Sequence, residues 1–133
     1  MDNATATQGQ FSRSVVIVED DAFLRSLLAD SLDKVGFDVS TAASAADAFR
    51  IIKATNPDAV VLDINLGLGP DGFDVAARLR KTAPDIAIVF LTTMPDPRFA
   101  GRDDKAVYKN AAYLNKHLLS DSNVLVEALE SVL

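Results

Sequence analysis

The chain has 133 residues, a single-domain length, and 49% of them are hydrophobic, enough to build a sizeable core and to exclude a disordered polymer. It holds no cysteine and one histidine, His117, which excludes disulfides, thiolate metal sites, cysteine nucleophiles and a histidine-built zinc site. The net charge of −6 argues against direct nucleic-acid binding, no apolar stretch reaches membrane-spanning length and the N-terminus lacks a signal-peptide core, so the expected compartment is cytoplasmic.

Residues 1–12 are small and polar and read as a flexible N-terminal tail, leaving 13–133 as the folded unit. Val15-Val16-Ile17-Val18, closed by Glu19-Asp20-Asp21, predicts a strand over about 14–18. A helix over about 21–35 follows, with Phe23, Leu24, Leu27, Leu28, Leu32 and Val35 at helical spacing. Asp20 or Asp21 can cap it, and Gly36 can end it. Phe37 to Thr41 predicts a second strand. Ser44 opens a second helix, Asp47 suggests a capping box, and Asn56-Pro57 stops it. Ala59-Val60-Val61-Leu62 is a third strand, ending at Asp63.

After a Gly- and Pro-rich loop at 64–70, a helix over about 71–82 buries Phe73, Ala76 and Leu79. Pro84 separates it from a fourth strand, Ile86 to Leu91, closed by Thr92-Thr93. Met94-Pro95-Asp96-Pro97 is a loop, and Phe99 to Tyr108 suggests a short polar helix. A fifth strand over about 111–115 is closed by Lys116. The last helix, about 122–132, carries Val124, Leu125, Ala128, Leu129 and Val132 on one face. Strands alternating with helices predict an α/β domain, a five-stranded parallel sheet with helices on both faces.

In such a sheet functional groups gather beyond the carboxyl ends of the strands. Three adjacent acids, an aspartate, a hydroxyl and an ammonium would therefore meet at one edge. Glu19, Asp20 and Asp21 repel one another unless a cation neutralises them, and a hard cation such as Mg²⁺ takes oxygen ligands; helix capping is the competing reading. Asp63 suits a carboxylate nucleophile forming an aspartyl phosphate, or equally an aspartate that starts a turn. Thr92 can bond a phosphoryl oxygen, or stand there for strand propensity. Lys116 can pair with Asp63 and then with a phosphate, or be a solvated lysine. His117 lacks the nucleophile elbow that a catalytic triad needs. Gly67-Leu68-Gly69-Pro70-Asp71-Gly72 matches a dinucleotide fingerprint, yet no acid stands at the next strand end, so its glycines read as turn residues.

Four motifs together resemble one family. Val-Ile-Val-Glu-Asp-Asp at 16–21, Val-Val-Leu-Asp-Ile-Asn-Leu at 60–66 with Asp-Gly at 71–72, Leu-Thr-Thr at 91–93 and Tyr-Leu-Asn-Lys at 113–116 are similar to those of response-regulator receiver domains, over about residues 13–133. The resemblance implies a flavodoxin-like (βα)5 fold and a phosphoacceptor in two-component signalling. Asp63 would take the phosphoryl group from a sensor histidine kinase or phosphotransfer protein. Glu19, Asp20, Asp63 and the backbone carbonyl of Asn65 would hold Mg²⁺. Thr92 would be the switch hydroxyl, Tyr113 the aromatic that turns with it, and Lys116 the conserved-type lysine. The output would be an unidentified protein target, and the face of the 99–108 helix, the 111–115 strand and the last helix offers a route to a homodimer. No enzymatic turnover is expected beyond slow self-dephosphorylation.

Three positions depart from the family pattern. The loop after Asp63 is one residue longer and carries Gly67 and Gly69, Thr93 stands where a smaller residue is usual, and His117 replaces the proline that commonly follows the lysine. The stretch 94–111 is also slightly long. The departures keep open a pseudo-receiver that binds partners without phosphorylation. A small metal-dependent phosphatase is a further alternative, without a substrate-pocket signature.

Overall fold

The computed structural model describes residues 13–66, 70–93 and 109–133. Five strands are present: β1 (Ser14–Val18), β2 (Asp38–Ala42), β3 (Ala59–Asp63), β4 (Ala87–Thr92) and β5 (Ala111–Asn115). The described α-helices are α1 (Ala22–Lys34), α2 (Ala45–Thr55), α3 (Gly72–Thr82) and α4 (Ser122–Val132). The expected tail at 1–12, the glycines Gly67 and Gly69, and the expected helix from Phe99 to Tyr108 lie outside the described residues.

All strand pairs are parallel, in the order β2-β1-β3-β4-β5. β3 and β4 are buried along their whole length, as expected of parallel strands covered on both faces. Alternation along the strands divides the core in two. Val16, Val18, Val60, Leu62, Ile88 and Phe90 face α2 and α3, whereas Val15, Ile17, Val61, Val89 and Leu91 face α1 and α4. The order reverses between β1 and β3, so the crevice beyond their carboxyl ends is where a doubly wound sheet binds ligands.

Each described α-helix starts on an acceptor side chain. Asp21 Oδ1 takes the Leu24 N–H at 3.0 Å, which settles the cap of α1 on Asp21 rather than Asp20. Ser44 caps α2 by accepting the Asp47 N–H, but Asp47 turns towards Arg50, and the full capping box belongs to Asp71 and Asp74 on α3. Gly36 supplies a φ of 101° just beyond α1. At the opposite edge of the sheet the buried Arg80 of α3 donates to the carbonyls of Pro84, Ile86 and Lys109, tying together the entries of β4 and β5.

The apolar set of α1 is wider than its buried stripe. Leu28 and Leu32 are buried and Leu24 packs beside them, but Phe23 is 76% exposed and Leu27 is 47% exposed. Positions 23 and 27 lie one residue, about 100°, around the helix from 24 and 28, beyond the reach of the sheet.

Candidate functional site

β1, β3, β4 and β5 all end at the same edge of the sheet. Around their tips Glu19, Asp20, Asp63, Asn65, Thr92 and Lys116 line one open depression of about 460 Å³, together with Asp21, Ile64 and Thr93. Six of the seven residues singled out from sequence thus share one cavity. The seventh, Tyr113, lies on β5 with its ring stacked on Phe90 at 5.1 Å, and Phe90 in turn meets Phe73 of α3 at 5.2 Å. Strand alternation places Phe90, Thr92 and Tyr113 on one face of the sheet.

The three consecutive acids have three different environments. Glu19 is fully buried; its backbone N–H continues the β1–β2 ladder to Ala42, and its Oε2 accepts the Asp21 N–H at 3.1 Å. Asp20 is exposed at the wall of the depression. Asp21 is committed to capping α1. Arg25, one turn into that helix, donates to the Glu19 carbonyl at 2.8 Å and the Asp20 carbonyl at 3.4 Å. Its guanidinium therefore steadies the turn through the backbone and leaves the carboxylates available.

Asp63, 2% exposed, is held from both sides. Oδ1 accepts the Asn65 N–H at 3.1 Å, and Oδ2 lies 3.0 Å from Lys116 Nζ. The same ammonium is 3.0 Å from Glu19 Oε1. Apart from Lys116, neither Glu19 Oε1 nor Asp63 Oδ2 has a donor among the described residues. Burial pushes the Glu19 carboxyl up to about 7, with the Asp63 charge adding to the rise, against lowering by the Asp21 N–H and Lys116. For Lys116 burial works downwards, and the two carboxylates outweigh it, so the ammonium is held above its ordinary value. Lys116 is thus the counter-ion of the site, not a solvated lysine.

One carboxylate oxygen each from Glu19, Asp20 and Asp63 lies within 4.8 Å of the others. Lys116 engages Glu19 and Asp63, and Asp20 adds a carboxylate that the ammonium does not reach. The donor set is all oxygen, partly buried and open on one side. That chemistry fits a hard divalent cation which keeps some of its water, such as Mg²⁺.

Two positions that support this arrangement were not legible from the sequence. Gly72, read as a turn residue, is the first residue of α3, and a Cβ there would lie 2.4 Å from the Asp63 carbonyl oxygen. Its N–H also bonds the Ile64 carbonyl at 2.7 Å, so α3 is seated on the backbone of the β3 tip. Arg25 acts through the backbone carbonyls of Glu19 and Asp20. The Asp-Gly pair opening α3 was the one visible hint. The Lys116-His117 peptide is trans, no cis bond occurring among the described residues, and Lys116 opens a short 3-10 turn to Leu118.

A family model described as the response regulator receiver domain matches residues 15–130. Over 83 residues the chain is 40% identical to the transcriptional regulatory protein AfsQ1 of Streptomyces coelicolor, covering 62% of this chain and 36% of that protein. Over 95 residues it is 37% identical to the transcriptional regulatory protein PrrA of Mycobacterium tuberculosis, covering 70% and 40% respectively. The chain therefore spans less than half the length of these curated relatives. Among solved structures, the chemotaxis response regulator CheY4 of Vibrio cholerae superposes with a TM-score of 0.79 at 25% identity, covering 92% of this chain and 99% of that one. A response regulator receiver protein from Sinorhizobium medicae gives 0.77 at 26% identity, covering 92% and 95%.

Proposed function

The chain belongs to the response regulator receiver family, and from that membership we propose that Asp63 accepts a phosphoryl group from a histidine phosphodonor and that its phosphorylation switches a protein-binding face. The observation that carries this reading is the buried Asp63 carboxylate, bridged by Lys116 to Glu19 at the mouth of an open acidic depression.

In the proposed step an oxygen of Asp63 attacks phosphorus as the N–P bond of a phosphoimidazole breaks. The imidazole nitrogen leaves with the bonding pair and takes up a proton. Lys116 then transfers its ion pair from the Asp63 carboxylate to a phosphoryl oxygen, so the ammonium stays paired throughout. Asn65 holds Oδ1 by its backbone N–H. A divalent cation on Glu19, Asp20, Asp63 and the Asn65 carbonyl would screen the charge on the phosphoryl oxygens.

Thr92, at the tip of β4, would turn its hydroxyl to the new phosphoryl group. Tyr113 shares its sheet face and would follow, altering the surface around β5. Such a change is a two-state equilibrium biased by a local charge, and near-complete inversion requires about 5 kcal/mol of differential stabilisation. The domain would be a phosphoacceptor with slow self-dephosphorylation rather than a turnover enzyme. It would work in the cytoplasm, through protein partners.

Intact-mass measurement after incubation with acetyl phosphate and Mg²⁺ tests the reading. One added phosphoryl mass is expected, absent in Asp63→Asn and absent with EDTA. An unchanged mass with acetyl phosphate and with a phosphorylated histidine kinase, under conditions that trap short-lived adducts, would overturn it.

A further inference from the structure

Asn115 is the last residue of β5, in register with Thr92 of β4. Its backbone is still extended, with φ −73° and ψ 127°, and its side-chain Oδ1 accepts the His117 N–H at 2.9 Å. That bond folds an Asx turn around Lys116. On the other side the Leu119 N–H bonds the Lys116 carbonyl at 3.2 Å and closes the 3-10 turn. The backbone of Lys116 is therefore gripped before and after the residue, at the point where the strand stops.

The grip matters because the lysine has far to reach. β5 is separated from β3 by β4, so roughly 10 Å of sheet lies between the two strands at ordinary strand spacing. Nζ nevertheless sits 3.0 Å from carboxylates on β3 and at the tip of β1. The lysine side chain bridges that gap together with the carboxylate side chains that reach towards it, so the direction in which it leaves β5 decides whether they meet. A rotation of the backbone at 116 would swing the ammonium off both partners.

We propose that Asn115 is a positioning residue for Lys116, and that it works as a matched pair with the N–H of His117. A proline at 117 has no N–H to offer, so this turn is built for a residue other than proline. The histidine that departs from the family pattern is then one half of the device that aims the lysine. The kinetic consequence rests on the phosphoacceptor reading of Asp63; the geometric one does not.

Four variants separate the two halves of the pair. Asn115→Leu removes the acceptor at similar size, and Asn115→Asp keeps it. His117→Pro removes the donor, and His117→Ala keeps it. Phosphorylation by acetyl phosphate at saturating Mg²⁺ is read alongside the side-chain ammonium NMR signal of Lys116 in metal-free protein. We expect Asn115→Leu and His117→Pro to slow phosphorylation about 10-fold and to lose the protected ammonium signal, with Mg²⁺ affinity changed by no more than about twofold. Asn115→Asp and His117→Ala should keep both the rate and the signal.

Retention of both by Asn115→Leu and His117→Pro would overturn the proposal, as would equal losses in the variants that keep the bond. The pair can be broken from either side, so one variant that fails to fold leaves the other to decide. Should the wild-type chain accept no phosphoryl group, the phosphoacceptor reading fails and the ammonium signal alone decides the role of Asn115.

Discussion

Glu19 bears the strongest electrostatic conflict in the site. Its carboxyl titrates near 4.5 in its ordinary state and is pushed up to about 7 in the fold, chiefly by burial. A raised folded value means that the native state holds this proton more tightly than the unfolded chain does. The resulting stability is complete below about pH 4.5 and is lost as pH rises through about 7. In EDTA, Glu19→Gln should therefore gain stability relative to wild type between pH 5 and 8, by on the order of 2 kcal/mol. Chemical denaturation at both pH values measures this, and a difference independent of pH would contradict it. Gly72 presents the steric counterpart. A methyl group there meets the Asp63 carbonyl oxygen at 2.4 Å, and that neighbour is backbone, unable to rotate away. Gly72→Ala should cost roughly 1–3 kcal/mol by overpacking, read as a lower denaturation midpoint. It should also slow phosphorylation by displacing the β3 tip, whereas Gly36→Ala, strained at φ 101° but far from the site, should cost stability alone.

Among the elements, α1 has two faces with separate uses. Leu28 and Leu32 fasten it to the sheet, while Phe23 and Leu27 stand exposed one turn apart, Phe23 two residues after Asp21 of the depression wall. Leu118, 55% exposed, stands two residues beyond Lys116. A macromolecular phosphodonor must cover the rim of the depression to reach Asp63, whereas acetyl phosphate need not. Phe23→Ser should therefore slow phosphotransfer from a histidine kinase at least about 10-fold, the scale of a buried aromatic anchor, and leave the acetyl phosphate reaction unchanged. Equal effects on both donors would show that the residue acts on the site itself.

The same helix shows where sequence patterning stops being informative. Residues 23 and 27 match helical periodicity as well as 24, 28 and 32 do, and only the position of the sheet decides which stripe it covers. Among the described residues, strand and helix limits were legible to within about a residue, because apolar runs and capping side chains are local signals. The convergence of Glu19, Asp63, Thr92 and Lys116 was legible too, since parallel strands bring their carboxyl ends to one edge. Gly72, Arg25 and Asn115 were not. Gly72 acts through the close approach of two segments, and Arg25 and Asn115 bond nearby backbone groups through a turn geometry that residue type alone does not announce.

For the whole molecule, the two cores clamp a sheet whose functional end, among the described residues, carries more carboxylates than Lys116 engages. A divalent cation bound there should stabilise the native state by mass action, about 1.4 kcal/mol at ten times its dissociation constant. Mg²⁺ should raise the melting temperature of the wild-type protein and leave that of Asp20→Asn almost unmoved, because Asp20 is the exposed ligand not already engaged by Lys116. An equal rise in both proteins would place the cation elsewhere. No described helix is long and apolar enough to cross a membrane.

Locating the acyl phosphate itself is the most direct test. Protein phosphorylated with acetyl phosphate and Mg²⁺ would be reduced with borohydride, which converts an aspartyl phosphate to homoserine, and then mapped by peptide mass spectrometry. Homoserine at position 63 alone, and only when Mg²⁺ was present, is the predicted result. Homoserine at another carboxylate, or none in protein that has gained a phosphoryl mass, would contradict the assignment of Asp63 as the acceptor.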